Sequence, residues 1–256
     1  MEPIASLQND KVKLAYGLQN RTRTRRKERK VVLEGVRLIR DALIAKQKPE
    51  FVFYQHDNTD FELVAELQVR KFTVLPVTNE VFKHISDTQN SQGIIGIFPL
   101  PMPPLPKNPK RVLILDNLRD PGNVGTMLRT AGASGVDVVL LSPGCADPYN
   151  PKTLRSGMGA HFRVPVVDAP WGDIAGYCER LDVYLATGEG GLRYDHVNWT
   201  ESWALIIGSE AHGSSPDAEA LAEKHIFIPM AQQTESINAG VAAGVILFEA
   251  VRQTLA

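Results

Sequence analysis

The chain has 256 residues, 43% hydrophobic and 22% charged, with a formal net charge of -1. That composition excludes collagen-like, disordered and coiled-coil proteins and leaves room for one large domain or two modest ones. No stretch approaches the roughly 18 uninterrupted apolar residues of a membrane span, and Met1-Glu2-Pro3-Ile4 lacks the basic and apolar regions of a secretory signal, so the expectation is a cytoplasmic protein with no membrane partner.

The first fifty residues carry thirteen Lys or Arg against six Asp or Glu, a local charge of +7 that leaves -8 for the remainder. Charge segregated in this way presents a positive face to a polyanion, and RNA or DNA is the first suspect. The surplus is densest in a basic arm over 11–30, where Arg21, Arg23, Arg25, Arg26, Lys27, Arg29 and Lys30 stand with Glu28 as their one acid. Such a run is either a solvated charge cluster or an RNA-binding set; the density of positives favours phosphate contacts, whose affinity falls steeply with salt.

Beyond the arm, short strands at 31–34, 51–54, 73–75 and 94–98 alternate with helical patterns at 36–45, 61–68 and 80–85, which predicts a small α/β domain over 1–98. Six prolines within 99–109 fix φ and remove backbone donors, marking a linker. After it, apolar runs at 112–115, 136–141, 164–167, 183–186, 204–207 and 226–228 are continuous rather than alternating. Continuous runs fit strands covered on both faces, so 110–256 is expected to be a parallel sheet between helices. Cys145 and Cys178 lie far apart with no second pair or histidine cluster at ligand spacing, so neither a disulfide framework nor a metal site is expected and both read as plain buried thiols.

Three segments of the second region combine a strand end, a loop and a helix start. The first is Asp116-Asn-Leu-Arg-Asp-Pro-Gly-Asn-Val-Gly-Thr-Met-Leu-Arg-Thr-Ala-Gly132. Here Val124, Met127, Leu128 and Ala131 form an apolar helical stripe, which throws Arg129 toward the other side. Asn123 is either a helix cap or a site residue, and Arg129 either a solvated cation or a ligand contact at the carboxyl edge of the sheet. The second is Ile206-Ile-Gly-Ser-Glu-Ala-His-Gly-Ser-Ser-Pro216, whose glycines at 208 and 213 permit close backbone approach or positive φ, with Glu210 between them and a helix starting near Pro216. His212 in the same loop is assigned no role. The third is Ile228-Pro-Met-Ala-Gln-Gln-Thr-Glu-Ser-Ile-Asn-Ala-Gly-Val-Ala242, entering a helix that reaches about Gln253, with Thr234 or Ser236 as cap and small residues at 239, 240 and 242–244 for close packing. No Gly-x-Gly-x-x-Gly, P-loop or Gly-x-Ser-x-Gly elbow accompanies them.

In this order and spacing the three segments resemble the motifs of the SpoU/TrmH branch of the SPOUT RNA methyltransferases, over about 112–252. The N-terminal part is similar to the substrate-binding domain often attached to that branch, through Ile4-Ala-Ser-Leu-Gln-Asn-Asp-Lys-Val-Lys13, Val32-Leu-Glu-Gly-Val-Arg-Leu-Ile39 and Ser91-Gln-Gly-Ile-Ile95. The resemblance implies S-adenosylmethionine as methyl donor, an RNA ribose 2'-hydroxyl as acceptor, a homodimer and a deep trefoil knot near the C-terminus. Ribosomal RNA is the expected substrate; transfer RNA and a non-catalytic RNA-binding assembly or protection factor are the alternatives. By the same resemblance Asn123, Arg129, Glu210, Ser236 and Asn238 are the catalytic set, and Thr187, Gly208, Ile228, Met230 and Ile237 hold the cofactor. The chain departs from the family at Gln233, where glycine is frequent, at Ile237, where leucine is, and at Ala239-Gly240, where Val-Ser is.

Overall fold

The computed structural model describes residues 2–57, 59–188, 190–209, 213–231 and 236–255. They divide into two compact units, one formed by 1–101 with 149–159, the other by 102–148 with 160–256.

In the first unit the elements run α1 (Asp10–Asn20), α2 (Thr22–Glu28), β1 (Lys30–Glu34), α3 (Val36–Ile44), β2 (Phe51–Gln55), α4 (Phe61–Val69), β3 (Val74–Val77), α5 (Asn79–Ile85) and β4 (Ile94–Pro99). The strands order as β1-β4-β2-β3, with β4 antiparallel to both neighbours and β3 parallel to β2. The predicted strands and helices all form. The basic arm does not: residues 10–28 are two helices, and Val12, Ala15 and Leu18 of α1 are buried with Phe51, Phe53, Phe82, Ile95 and Ile97. Apolar residues at i, i+3 and i+6, interleaved with the cations, drive that docking.

The second unit explains the continuous apolar runs. Its strands β5 (Arg111–Leu115), β6 (Val138–Leu141), β7 (Val166–Asp168), β8 (Asp182–Thr187), β9 (Leu192–Arg193), β10 (Trp203–Ile207) and β11 (Lys224–Phe227) form one sheet in the order β7-β6-β5-β10-β8-β11-β9. Every pairing in it is parallel. Along β5, Leu113 and Leu115 face one core, with Val124, Met127, Leu128 and Ala131 of α6 (Pro121–Ser134), so that helix buries the predicted stripe. Val112 and Ile114 face the opposite core. Burial on alternate faces of the same strand requires apolar residues at every position. The two-residue β9 escaped prediction because Leu192 and Arg193 are both exposed and leave no apolar pattern.

The expected boundary at 99–109 is only part of the division. Helix α7 (Pro151–Gly157) lies by sequence in the second region, yet it clusters with the first unit. It contacts β1, and Arg155 Nη2 pairs with Asp87 Oδ2 at 2.7 Å. Gly159, at φ +73, comes so close to Asp41 that a Cβ there would lie 2.9 Å from the Asp41 side chain. Among the described residues no helix is long and apolar enough to cross a membrane.

Candidate functional site

Parallel strands deliver their carboxyl ends to one edge, and loops there converge on whatever binds. In the second unit β10, β8 and β11 are neighbours, with Ile207 opposite Ala186 and Thr187 opposite Phe227. Their continuations frame a cleft of about 350 Å³ lined by Thr187, Gly208, Ile228, Met230, Ser236 and Ile237 among others. All five residues assigned to the cofactor by resemblance therefore share one cavity, joined by Ser236 from the catalytic set.

The glycine-containing loop uses both freedoms that glycine offers. Gly213 has φ +66, and Ser209 and Gly213 exchange two backbone hydrogen bonds that pinch the loop. A Cβ on Gly208 would sit 3.0 Å from Ser214 Oγ and 3.2 Å from the Gly213 carbonyl oxygen, so the backbone approach needs the missing side chain. Glu210 and His212 lie outside the described residues, as do Gln233 and Thr234. The exit of the loop is held by Asp116, 1% exposed, whose carboxylate accepts from Ser215 N at 2.6 Å and from Ser142 Oγ at 3.1 Å. Asp116 opens the first motif, and the sequence alone attaches no role to it. The available signal was a carboxylate closing an apolar strand, a position that buries it and obliges it to find donors.

Asn123 and Asn238 meet although 115 residues separate them: Asn238 Nδ2 donates to Asn123 Oδ1 at 3.1 Å. Asn123 does not cap α6. Asp120 caps α6, its side chain accepting from Asn123 N, and Pro121 takes the first helical position. The helix α10 (Ala239–Leu255) starts later than the expected Thr234 or Ser236 caps would require, and Asn238 Oδ1 accepts from Gly240 N at 2.9 Å and from Val241 N at 3.3 Å. The small residues do pack closely, since a Cβ on Gly240 would lie 3.5 Å from Thr126 Cγ2 of α6. Arg129 is exposed on α6 and is not among the residues that line the cleft.

The seven cations of 21–30 separate by burial. Arg25 is 3% exposed; its Nη1 donates to the carbonyls of Leu18 at 2.6 Å and Gln19 at 3.3 Å, and its Nη2 to Thr22 Oγ1 at 2.9 Å. It closes the C-terminal end of α1, where unpaired carbonyls attract a cation, and is removed from the RNA-facing set. Lys30 is partly buried in β1 and pairs with Glu50 at 2.6 Å. Arg21, Arg23, Arg26, Lys27 and Arg29 are exposed.

Neither thiol is poised to react. Burial raises Cys178 to about 11 and Cys145 above its usual value. Cys145 is half-buried rather than buried, donating to the Leu115 carbonyl and accepting from Leu118 N. His161 is fully buried, with Nε2 2.7 Å from the Pro148 carbonyl oxygen, and burial depresses its pKa to about 4, so it is neutral near pH 7. Among the described residues no group of three His, Cys, Asp or Glu is placed to hold a metal ion.

Residues 110–248 match the SpoU rRNA Methylase family, and residues 9–96 match the MRM3-like substrate binding domain. The chain belongs to the SpoU rRNA methylase family. This SpoU methylase is 38% identical to rRNA methyltransferase 3A, mitochondrial, of Danio rerio, over 90% of its own length and 66% of the zebrafish protein's. It is 33% identical to the 23S rRNA (guanosine(2553)-2'-O)-methyltransferase RlmP of Bacillus subtilis, covering 97% of this chain and 98% of that one. Among solved structures, the AdoMet-bound rRNA methyltransferase from Sinorhizobium meliloti superposes with a TM-score of 0.85 at 29% identity, covering 100% of this chain and 99% of the other. The family and the all-parallel sheet agree with the fold expected from the motifs.

Proposed function

We propose that this chain transfers the methyl group of S-adenosylmethionine to a ribose 2'-hydroxyl of ribosomal RNA. The observation that carries the reading is the convergence of Thr187, Gly208, Ile228, Met230 and Ile237 on one cleft at the carboxyl ends of β8, β10 and β11. The cleft suits the donor chemically. Ile207, Ile226, Ile228, Ile237 and Ile246 give it apolar walls for a flat base, and Gly208 leaves backbone exposed beside them. Glu219, whose Oε2 lies 2.9 Å from His225 Nε2, is the one acidic or basic side chain among its described lining residues, and no Lys or Arg among them is placed to hold an anion.

When bound there, S-adenosylmethionine would supply a sulfonium methyl; its transfer to the ribose 2'-oxygen would leave the neutral thioether and release the hydroxyl proton to solvent. The residues of this chain have to orient the acceptor and favour its oxyanion. A guanidinium is a strong donor and a poor proton acceptor, so Arg129 is given no general-base role. Its planar fork instead clamps the neighbouring phosphate and the emerging oxyanion, and its exposure lets RNA reach it. The Asn123–Asn238 pair ties the start of α6 to the start of α10, fixing the acceptor side against the cleft's own third loop. Glu210 and Ser236 complete the catalytic set.

A homodimer is part of this reading. It is supported by Val241, Phe248 and Leu255, which stand seven residues apart on α10 and are 54%, 51% and 83% exposed, an apolar stripe that water does not favour. The deep trefoil knot and the cytoplasmic location are proposed with it, the knot because the resemblance of the three motifs implies it.

Two measurements decide the matter. Titration calorimetry is expected to show S-adenosylmethionine binding to the purified chain; its absence would leave a non-catalytic RNA-binding factor. Mapping of 2'-O-methylation in RNA from cells with and without the protein is expected to show one lost ribosomal site, and a lost transfer RNA site would correct the substrate.

A further inference from the structure

On the first unit, the rings of Tyr16 and His84 stack with centroids 4.3 Å apart and planes 6° from parallel. Tyr16 belongs to α1 and is half-buried, whereas His84 belongs to α5 and is exposed. Since Tyr16 covers one face of the imidazole, the exposure of His84 falls on the other face and the ring edge. Both rings ride on helices docked on the core through Val12, Ala15 and Leu18 of α1 and Val81, Phe82 and Ile85 of α5. A further flat ring placed on His84 would therefore meet a rigid platform with little side-chain freedom left to lose.

The surroundings select the ligand. Lys13 lies one turn before Tyr16 on the same face of α1, and Lys83 adjoins His84; both are exposed, with Glu80 as the acidic neighbour in the first turn of α5. Beyond the end of α1, the exposed Arg21 stands at the junction and the exposed Arg23, Arg26 and Lys27 follow on α2, whose Thr24 packs 3.1 Å from where a Cβ on Gly17 would stand. An aromatic face flanked by cations on neighbouring helices is the arrangement that holds single-stranded nucleic acid, bases on rings and phosphates on cations.

We infer that the Tyr16–His84 stack is a platform for an unpaired nucleobase of the RNA, with α2 holding the adjoining phosphates. This rests on the RNA-methylating function proposed above and names the part of the substrate that the first unit grips. The base is held through its π face, so the contact tolerates any sequence.

The test uses the full chain and a fluorescein-labelled single-stranded RNA 12-mer carrying a central 2-aminopurine. The wild type is expected to quench the 2-aminopurine on binding. His84→Ala should lose that quench and about tenfold in affinity with an unchanged salt slope, and His84→Phe should restore both. The double variant Arg23→Gln/Arg26→Gln should keep the quench while its salt slope shallows by about 1.4. Wild-type quenching and affinity in His84→Ala would overturn the platform alone, leaving the methyltransferase reading intact. Failure of the wild-type chain to bind this RNA even at low salt, while it also leaves ribose methylation unchanged in cells, would sink both.

Discussion

The cleft of the second unit and the basic segment of the first were both marked in the sequence, yet one kept every assigned residue that the structure describes and the other did not. The cleft is built largely by backbone: strand ends, two glycines and short loops whose placement follows from where apolar runs stop. The basic segment is defined by side chains of one kind, and folding sorted them, burying Arg25, pairing Lys30 and exposing the rest. A site made of strand ends is specified by periodicity, whereas a charge run says nothing about which of its members face water.

The widest separation between the two regions is expected from Arg129→Ala. Turnover should fall on the order of 10²–10³-fold, as for loss of an oxyanion-stabilising donor. Calorimetric binding of S-adenosylmethionine should stay near wild type, because Arg129 does not line the cleft. Equal loss of donor binding would move Arg129 into the cofactor site. The reverse split is expected of Gly208→Val, which places methyls against Ser214 and the Gly213 carbonyl. Donor affinity should drop on the order of 100-fold, from overpacking of a few kcal/mol, with RNA binding retained in a mobility-shift assay.

Within the basic segment, Arg25→Ala removes the guanidinium from buried carbonyls and should destabilise by about 3 kcal/mol in urea. Arg23→Ala, at an exposed position, should stay within about 0.5 kcal/mol and register instead as weaker RNA binding. Similar stability losses in the two variants would erase the division by burial.

The second unit offers a contrasting buried base, His161. Its folded pKa of about 4 lies below the ordinary 6.5, so between those values the unfolded chain binds a proton that the folded chain refuses. Stability should fall as pH drops through that window, by up to about 3 kcal/mol, and His161→Gln should flatten this part of the urea-midpoint profile against pH. A loss of about 1 kcal/mol of stability is expected of Asn238→Ala, which removes the α10 cap and the bond to Asn123. An undiminished turnover in that variant would dissociate the asparagine pair from the chemistry.

Much of this protein could be read from local pattern. Strand and helix positions followed from apolar periodicity, because each strand's burial on one face or two is written into its own residues. The three motif loops followed from strand, glycine and cap residues in sequence, and the ordered resemblance grouped them as one site. Long-range partnerships were not legible. Asp116 reaching Ser215, Asn238 reaching Asn123 and the stacking of Tyr16 on His84 depend on chain segments brought together only when helices and strands pack.

By itself, then, the sequence determined two α/β regions, a parallel sheet buried on both faces and the loops that end its strands, since each is a matter of which residues avoid water along a local repeat. The tertiary structure decided which cations are exposed, which asparagine caps α10, that 149–159 belong with the first unit and that five separated residues share a cleft. Those outcomes turn on contacts between distant segments, where burial and hydrogen-bond satisfaction depend on the partner as much as on the residue itself.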